Sequence, residues 1–244
     1  KIFGTLKDPL KNSDIRNFLL HNGILSDNFI RQKGIKYSTY SEMIAKHLVD
    51  VKDIKYTKMS DRICTPIYKK SVLVNMEGRT YKDKKDLYEE EPKVLYVKGG
   101  TTDLLYDWEN IDITSDVVIV EGLKDYWKVW NVYNNCVPIF GNNLKDYQVE
   151  LLNTVTGNII AFCDNDAGGL GTYDKNDNLV INGMMQNFDE KLDKEFKVCY
   201  NPIRGKDPND TDFNKIKDLI TSAKLYNEIL VDNVLGSNKI QRWT

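Results

Sequence analysis

An α/β domain with a parallel sheet and flanking helices, preceded by a small basic α+β subdomain and followed by a C-terminal helix, is the fold class this sequence predicts. Three observations lead to it. From Asp116 onward, short apolar runs alternate with amphipathic stretches; residues 62–99 read instead as short strands broken by glycine and charged turns. The charge is also segregated: residues 1–100 hold 20 Lys and Arg against 13 Asp and Glu, and the remaining 144 hold 14 against 23, although the whole chain carries only −2. A basic lobe followed by an acidic one suits polyanion binding in the first and divalent cations in the second.

Taken in order, Ile15, Phe18 and Leu19, then Met43, Ile44, His47 and Leu48, recur at helical spacing, so Ser13 to about Asp61 reads as mainly helical. Within GILSDNFIRQKGI, Ser26 or Asp27 is the expected N-cap of a short helix and Gly34 its stop. RICTPIY, SVLVNMEGR and KVLYVKGG are expected strands. Next come VVIVEG as a buried strand, LKDYWKVWNVY as a helix, CVPIFG as a strand, LKDYQVELLNTV as a helix and NIIAFCDND as a strand. Such alternation implies parallel strands with helices packed on them. A helix over 184–195, the strand FKVCYNP and a closing helix over 213–231 complete the pattern. The expected division is 1–115 for the basic subdomain, 116–212 for the α/β domain and 213–244 for the C-terminal helix and tail.

Composition narrows the function classes. The chain is 41% hydrophobic and 29% charged, and no apolar run approaches the ~18 residues a membrane helix needs. No signal-peptide pattern precedes the fold, so a cytoplasmic protein without a membrane partner is expected. The first residue is Lys1 rather than Met, as in a fragment of a longer chain. Cys64, Cys136, Cys163 and Cys199 lie far apart in apolar contexts, and His21 and His47 stand alone. No zinc is expected in this chain, and a bound metal would have oxygen ligands. No GxxxxGK[ST] phosphate loop occurs, which excludes a P-loop helicase or ATPase half.

The chemistry is expected where strands end at their carboxyl edge. Glu121 follows VVIV and precedes Gly122, which would let the backbone turn tightly; Asp164 and Asp166 flank Asn165 after IIAFC; Asp207 and Asp210 follow the last strand. Three strand ends thus aim carboxylates at one rim. Clustered carboxylates repel one another unless a cation lies between them, and Mg²⁺ is held by one or two carboxylates with water and phosphate oxygens. A Mg²⁺ or Mn²⁺ site is expected. Each acid alone would read as a turn former or helix cap. Tyr126, Trp127 and Trp130 fall at helical spacing and are expected in the core rather than stacked on bases.

EGLKD (121–125), FCDNDAGG (162–169) and GKDPND (205–210) resemble, in order and spacing, the three signature segments of the Toprim domain of DnaG-type DNA primases and phage primase–helicases. DRICTPIY, VLVNMEGR and EPKVLYVKGG resemble the basic subdomain that precedes Toprim in those enzymes, and the likeness covers roughly residues 17–220. It implies a catalytic core that makes short RNA primers on single-stranded DNA: the 3′-hydroxyl of one ribonucleotide attacks the α-phosphate of an incoming NTP, and pyrophosphate leaves. Glu121, Asp164 and Asp166 take the catalytic positions, and with Asp207 the metal positions. Arg62, Arg79, Lys93 and Lys98 take the positions that would hold the NTP triphosphate and template. The resemblance further implies a replicative helicase or a zinc-ribbon module as partner, in trans or on a longer chain, and a phage replication setting.

Two segments depart from that pattern. GLGTYDKNDNLVING follows the second signature where a helix usually starts, and reads as an inserted loop or hairpin turning near Asn176-Asp177. In the third signature Asn209 stands at the usual second acidic position, which makes Asp207 the safer ligand. A Toprim nuclease or topoisomerase, and a non-catalytic nucleic-acid-binding module, are the alternative functions. The upstream basic segment favours a primase over the former, and no tyrosine-bearing topoisomerase domain is evident.

Overall fold

The computed structural model describes residues 6–24, 26–38, 61–82, 92–97, 104–173, 175 and 179–231. The chain divides into two compact units, Lys1–Thr101 and Thr102–Thr244.

In the first unit, helix α1 (Ser13–His21) starts at Asn12, whose side chain accepts hydrogen bonds from the amides of Asp14 and Ile15 at 3.0 and 3.1 Å. Its residues Ile15 and Leu19, one turn apart, are fully buried. Helix α2 (Asp27–Gln32) is capped by the Ser26 hydroxyl, which accepts from Phe29 N at 3.1 Å. Gly34 follows at φ +65°, so both expected boundary signals operate. The expected helical positions Met43, Ile44, His47 and Leu48 lie outside the described residues. Strands β1 (Lys36–Tyr37), β2 (Arg62–Lys69), β3 (Val72–Thr80) and β4 (Val94–Tyr96) form an antiparallel sheet in that order. β2 and β3 are joined by Lys70-Ser71, both at positive φ (49° and 60°), the primed turn whose twist matches the flanking strands.

The second unit is a five-stranded sheet. Strands β5 (Val117–Val120), β6 (Cys136–Pro138), β7 (Ile159–Cys163) and β10 (Lys197–Tyr200) run parallel, with β11 (Lys224–Leu225) antiparallel at one edge, in the order β11-β10-β7-β5-β6. Every residue of β5 and β7 is buried, the reason these strands read as unbroken apolar runs. Helices α3 (Leu123–Trp130), α4 (Asp146–Asn153) and α5 (Gly183–Lys191) fall where the periodicity placed them. Met184, Met185 and Phe188 of α5 and Leu152 of α4 join Val117, Ile119, Ile159 and Ala161 in one core. Tyr126 and Trp127 are buried as expected and Trp130 is half-buried.

Residues 104–115 belong to this second unit. Leu105 lies in its core, and the buried Gln148 donates to Leu104 O at 3.0 Å and Ile139 O at 3.1 Å. The insertion after the second signature is a hairpin, β8 (Gly171–Tyr173) paired antiparallel with β9 (Leu179–Ile181); the expected turn at Asn176-Asp177 lies outside the described residues. The single closing helix expected over 213–231 is instead broken. Helix α6 (Phe213–Thr221) ends where Thr221 and Ser222 hydroxyls donate back to Lys217 O and Asp218 O at 2.7 and 2.6 Å; β11 then pairs with β10 before residues 226–231 turn helical again. Among the described residues, no helix is long and apolar enough to cross a membrane.

Candidate active site

β10, β7 and β5 are neighbours in the sheet, so the segments that leave their carboxyl ends emerge side by side. Glu121 directly follows β5, Asp164 and Asp166 follow β7, and Asp207 lies beyond β10. The structure brings these four expected acids into one electrostatic neighbourhood. Burial, reinforced by the negative charges of Asp125, Asp166 and Asp207, pushes the Glu121 carboxyl up to about 7. Burial, with Asp125, Glu121, Asp207 and Asp166 around it, pushes Asp164 up to about 9.

Two of these acids carry a buried oxygen without a partner, and two accept local backbone hydrogen bonds. Glu121 Oε1 and Asp164 Oδ1 are buried without a hydrogen-bond partner. Asp166 is exposed and its Oδ1 accepts from the amides of Gly168 and Gly169 at 2.9 and 3.0 Å, an Asx turn. Asp207 Oδ1 accepts from Asp210 N at 2.8 Å, and its Oδ2 is 3.9 Å from Lys124 Nζ. Asp210 pairs with Lys206 at 3.4 Å.

Asp125 was not among the expected site residues, yet its charge is the largest single electrostatic contribution to both raised carboxyls. It is 8% exposed and stands four residues after Glu121, on the first turn of α3. That spacing, at the end of EGLKD, is the signal that could have found it.

Backbone packing fixes the loops. Leu170 N donates to Asp164 O and Gly171 N to Asp166 O, both at 2.8 Å, folding the segment tightly over itself. A Cβ on Gly169 would lie 2.2 Å from Asp164 O, so only glycine fits there. A Cβ on Gly183, at φ +62°, would be equally close to Gly168 O, and Met184 N donates to that oxygen at 2.8 Å, which brings the start of α5 against the same loop. Gly122, expected to be needed for a tight turn, is extended at φ −137°, and a Cβ there meets Asp125 only at an ordinary 3.7 Å.

The expected phosphate-binding cations belong to the first unit, and the described ones, Arg62, Arg79 and Lys93, do not share one environment. Arg62 is 1% exposed, and its guanidinium donates to Gly78 O, Lys93 O and Pro92 O at 3.2, 3.1 and 2.8 Å. This corrects the expectation for Arg62: it ties β2 to β3 and to the strand entry at 92–93, and burial leaves a phosphate no approach. Arg79 Nε lies 3.3 Å from Glu77 Oε1; Glu77 is itself buried and accepts from Tyr96 OH at 3.0 Å. Lys93 is exposed, and Lys98 lies outside the described residues.

Solved structures that share this architecture include DNA primases. The zinc-binding and RNA polymerase domains of the Aquifex aeolicus primase match at a TM-score of 0.69 and 18% identity, over 94% of this chain and 60% of that one. A DnaG primase catalytic domain bound to single-stranded DNA matches at 0.66 and 14% identity, over 97% of this chain and 80% of that one. The fold is that of a DnaG-type primase catalytic core. A primase domain from Pseudomonas aeruginosa carries this core fold too, at 0.64 and 17% identity, over 94% of this chain and 79% of that one. No family model matches the sequence, and no curated protein does. The primase core fold explains why the three acidic segments, far apart in sequence, share one sheet edge.

The acids suit a hard divalent cation. Two buried, unpartnered carboxylate oxygens are costly without a positive ligand. Among the described residues, no three or more His, Cys, Asp or Glu side chains converge as a ready-made cage. Mg²⁺ does not require one, since it keeps waters and takes substrate phosphates as ligands.

Proposed function

We propose that this chain is the RNA-polymerising core of a DNA primase, with a Toprim-type acidic site. The observation that carries this reading is the meeting of Glu121 and Asp164, each with a buried unpartnered oxygen, at the carboxyl edge of three adjacent strands in a primase core fold. Glu121 and Asp164 would hold the first cation. Asp166 and Asp207, nearer solvent, would complete its shell directly or through water, and Asp125 adds to the local negative field. A bound Mg²⁺ or Mn²⁺ supplies neutralisation of the charge growing on the α-phosphate and acidifies the attacking 3′-hydroxyl. Glu121 would also serve as general acid or base for that proton. Lys93, Arg79 and Lys98 would contact the triphosphate and the template backbone. Single-stranded DNA and NTPs are the proposed partners, with a helicase or zinc-ribbon module acting alongside in the cytoplasm.

The test is primer synthesis on single-stranded DNA with labelled NTPs and Mg²⁺ or Mn²⁺, comparing wild type with Asp164→Ala after a folding check. Oligoribonucleotides from wild type alone support the reading. Metal-dependent nicking without synthesis would assign a Toprim nuclease, and DNA binding with neither activity a non-catalytic replication module.

A further inference from the structure

The hairpin β8–β9 is inserted between the second acidic segment and α5, and it touches the third. Tyr173, the last residue of β8, places its ring centroid 3.4 Å from the Arg204 guanidinium. Its hydroxyl donates to Asn165 Oδ1 at 3.4 Å. Arg204 lies on the loop that leads to Asp207, and Asn165 sits between Asp164 and Asp166. One side chain therefore contacts both acid-bearing segments.

Those segments are also joined beneath it. Asn165 is 2% exposed; its N–H donates to Lys206 O at 3.0 Å, its C=O accepts from Gly205 N at 2.7 Å, and its side-chain amide donates to Asn201 O at 2.8 Å. Asn201 in turn donates to Thr211 Oγ1 at 3.0 Å, beyond Asp207. The hairpin is anchored by Gly171 N, which donates to Asp166 O at 2.8 Å, and its two arms are tied together where the Asn182 amide donates to Thr172 Oγ1 at 3.2 Å. Neutral groups thus tie the second acidic segment to the third, and Tyr173 contacts both segments.

We propose that the hairpin is a clamp that fixes Asp207 relative to Asp164 and Asp166, with Tyr173 as a positioning residue for the cation. This rests on the reading of the acidic cluster as a divalent-cation site. Groups that orient metal ligands typically change affinity by about 10–100-fold when removed. Because Tyr173 acts through the loop of Asp207, its effect must depend on Asp207.

The test is Mn²⁺ titration of the full chain, followed by the electron paramagnetic resonance of free Mn²⁺, at a temperature where every variant is folded. Tyr173→Ala is expected to raise Kd about tenfold. Tyr173→Phe keeps the ring and should remain within about threefold of wild type, and Tyr173→Ala should cost less than about twofold in an Asp207→Asn background. Unchanged Kd in Tyr173→Ala, or an undiminished loss without Asp207, overturns the clamp. Should Tyr173→Ala fail to fold, Arg204→Met removes the same contact from the other side, and an unchanged Kd there overturns it equally. Asp164→Asn separates the two ideas: if it binds Mn²⁺ like wild type, the cation-site reading falls and the clamp with it, whereas its loss beside an unaffected Tyr173→Ala removes the clamp alone.

Discussion

Neutralising Glu121 should stabilise the metal-free protein at pH 8, although it damages the proposed site. Its carboxyl, raised from 4.5 to about 7, is ionised in the unfolded chain above its ordinary pKa but in the folded chain only above about 7. Stability from the protonated form is therefore fully present below about pH 4.5 and is lost as pH rises through 7. At ~1.4 kcal/mol per pH unit the full loss at pH 8 is about 3 kcal/mol, and solvent screening at a half-buried site reduces it to about 1–2 kcal/mol. Glu121→Gln removes the penalty at nearly constant volume, so Tm in EDTA at pH 8 should rise by roughly 3–6 °C. At pH 5 most of that gain should vanish, because the wild-type carboxyl is then protonated in the fold. Saturating Mn²⁺ should reverse the order, since binding at 100 times Kd stabilises wild type by about 2.7 kcal/mol. Thermal melts followed by circular dichroism, with and without EDTA at the two pH values, provide the check. A variant equally destabilised at pH 5 and pH 8 in EDTA would refute the electrostatic account of this rim.

Three further outcomes are expected. Asp164→Ala should reduce NTP incorporation by roughly a thousandfold or more while keeping native circular dichroism, measured by single-turnover synthesis. Gly169→Ala must displace the Asp164 carbonyl 2.2 Å from its Cβ and should cost roughly 2–4 kcal/mol in urea unfolding; an effect below about 0.5 kcal/mol would contradict the tight loop. Arg62→Ala removes the guanidinium from Gly78 O, Pro92 O and Lys93 O, of which Lys93 O keeps Thr80 N at 3.0 Å, and should destabilise the chain by about 3 kcal/mol, whereas Lys93→Ala should leave stability unchanged and lower the salt slope of template binding by about one. Denaturation and salt-dependent fluorescence anisotropy separate the two.

The parallel sheet was legible because its central strands are buried on both faces and therefore read as VVIV and IIAFC, with no polar interruption. The acids were legible for a related reason: polar residues directly after such strands can only be at the rim. What escaped depends on partners remote in sequence. Arg62 looks like a surface cation in DRICTPIY, but a carbonyl 31 residues away makes it an internal tie. The closing helix looked continuous because its break is imposed by pairing of β11 with β10, and the only local hint is the Thr221-Ser222 pair that bonds back to the helix. Asp125 is not readily legible in the sequence because an acid in a helical first turn is ordinarily a favourable dipole partner, and its approach to Asp164 requires the neighbouring strand.

The four thiols offer a practical consequence. Cys64, Cys136, Cys163 and Cys199 are all buried, and burial pushes Cys64 up to about 12 and raises Cys163 and Cys199. Maleimide chemistry needs an accessible thiolate, so the native chain should resist labelling while folded. A cysteine introduced at exposed Lys70 in the first unit and another at exposed Glu190 in the second would then be the reactive pair. Labels at those positions give each unit its own reporter without replacing a native cysteine, because the four native thiols stay silent.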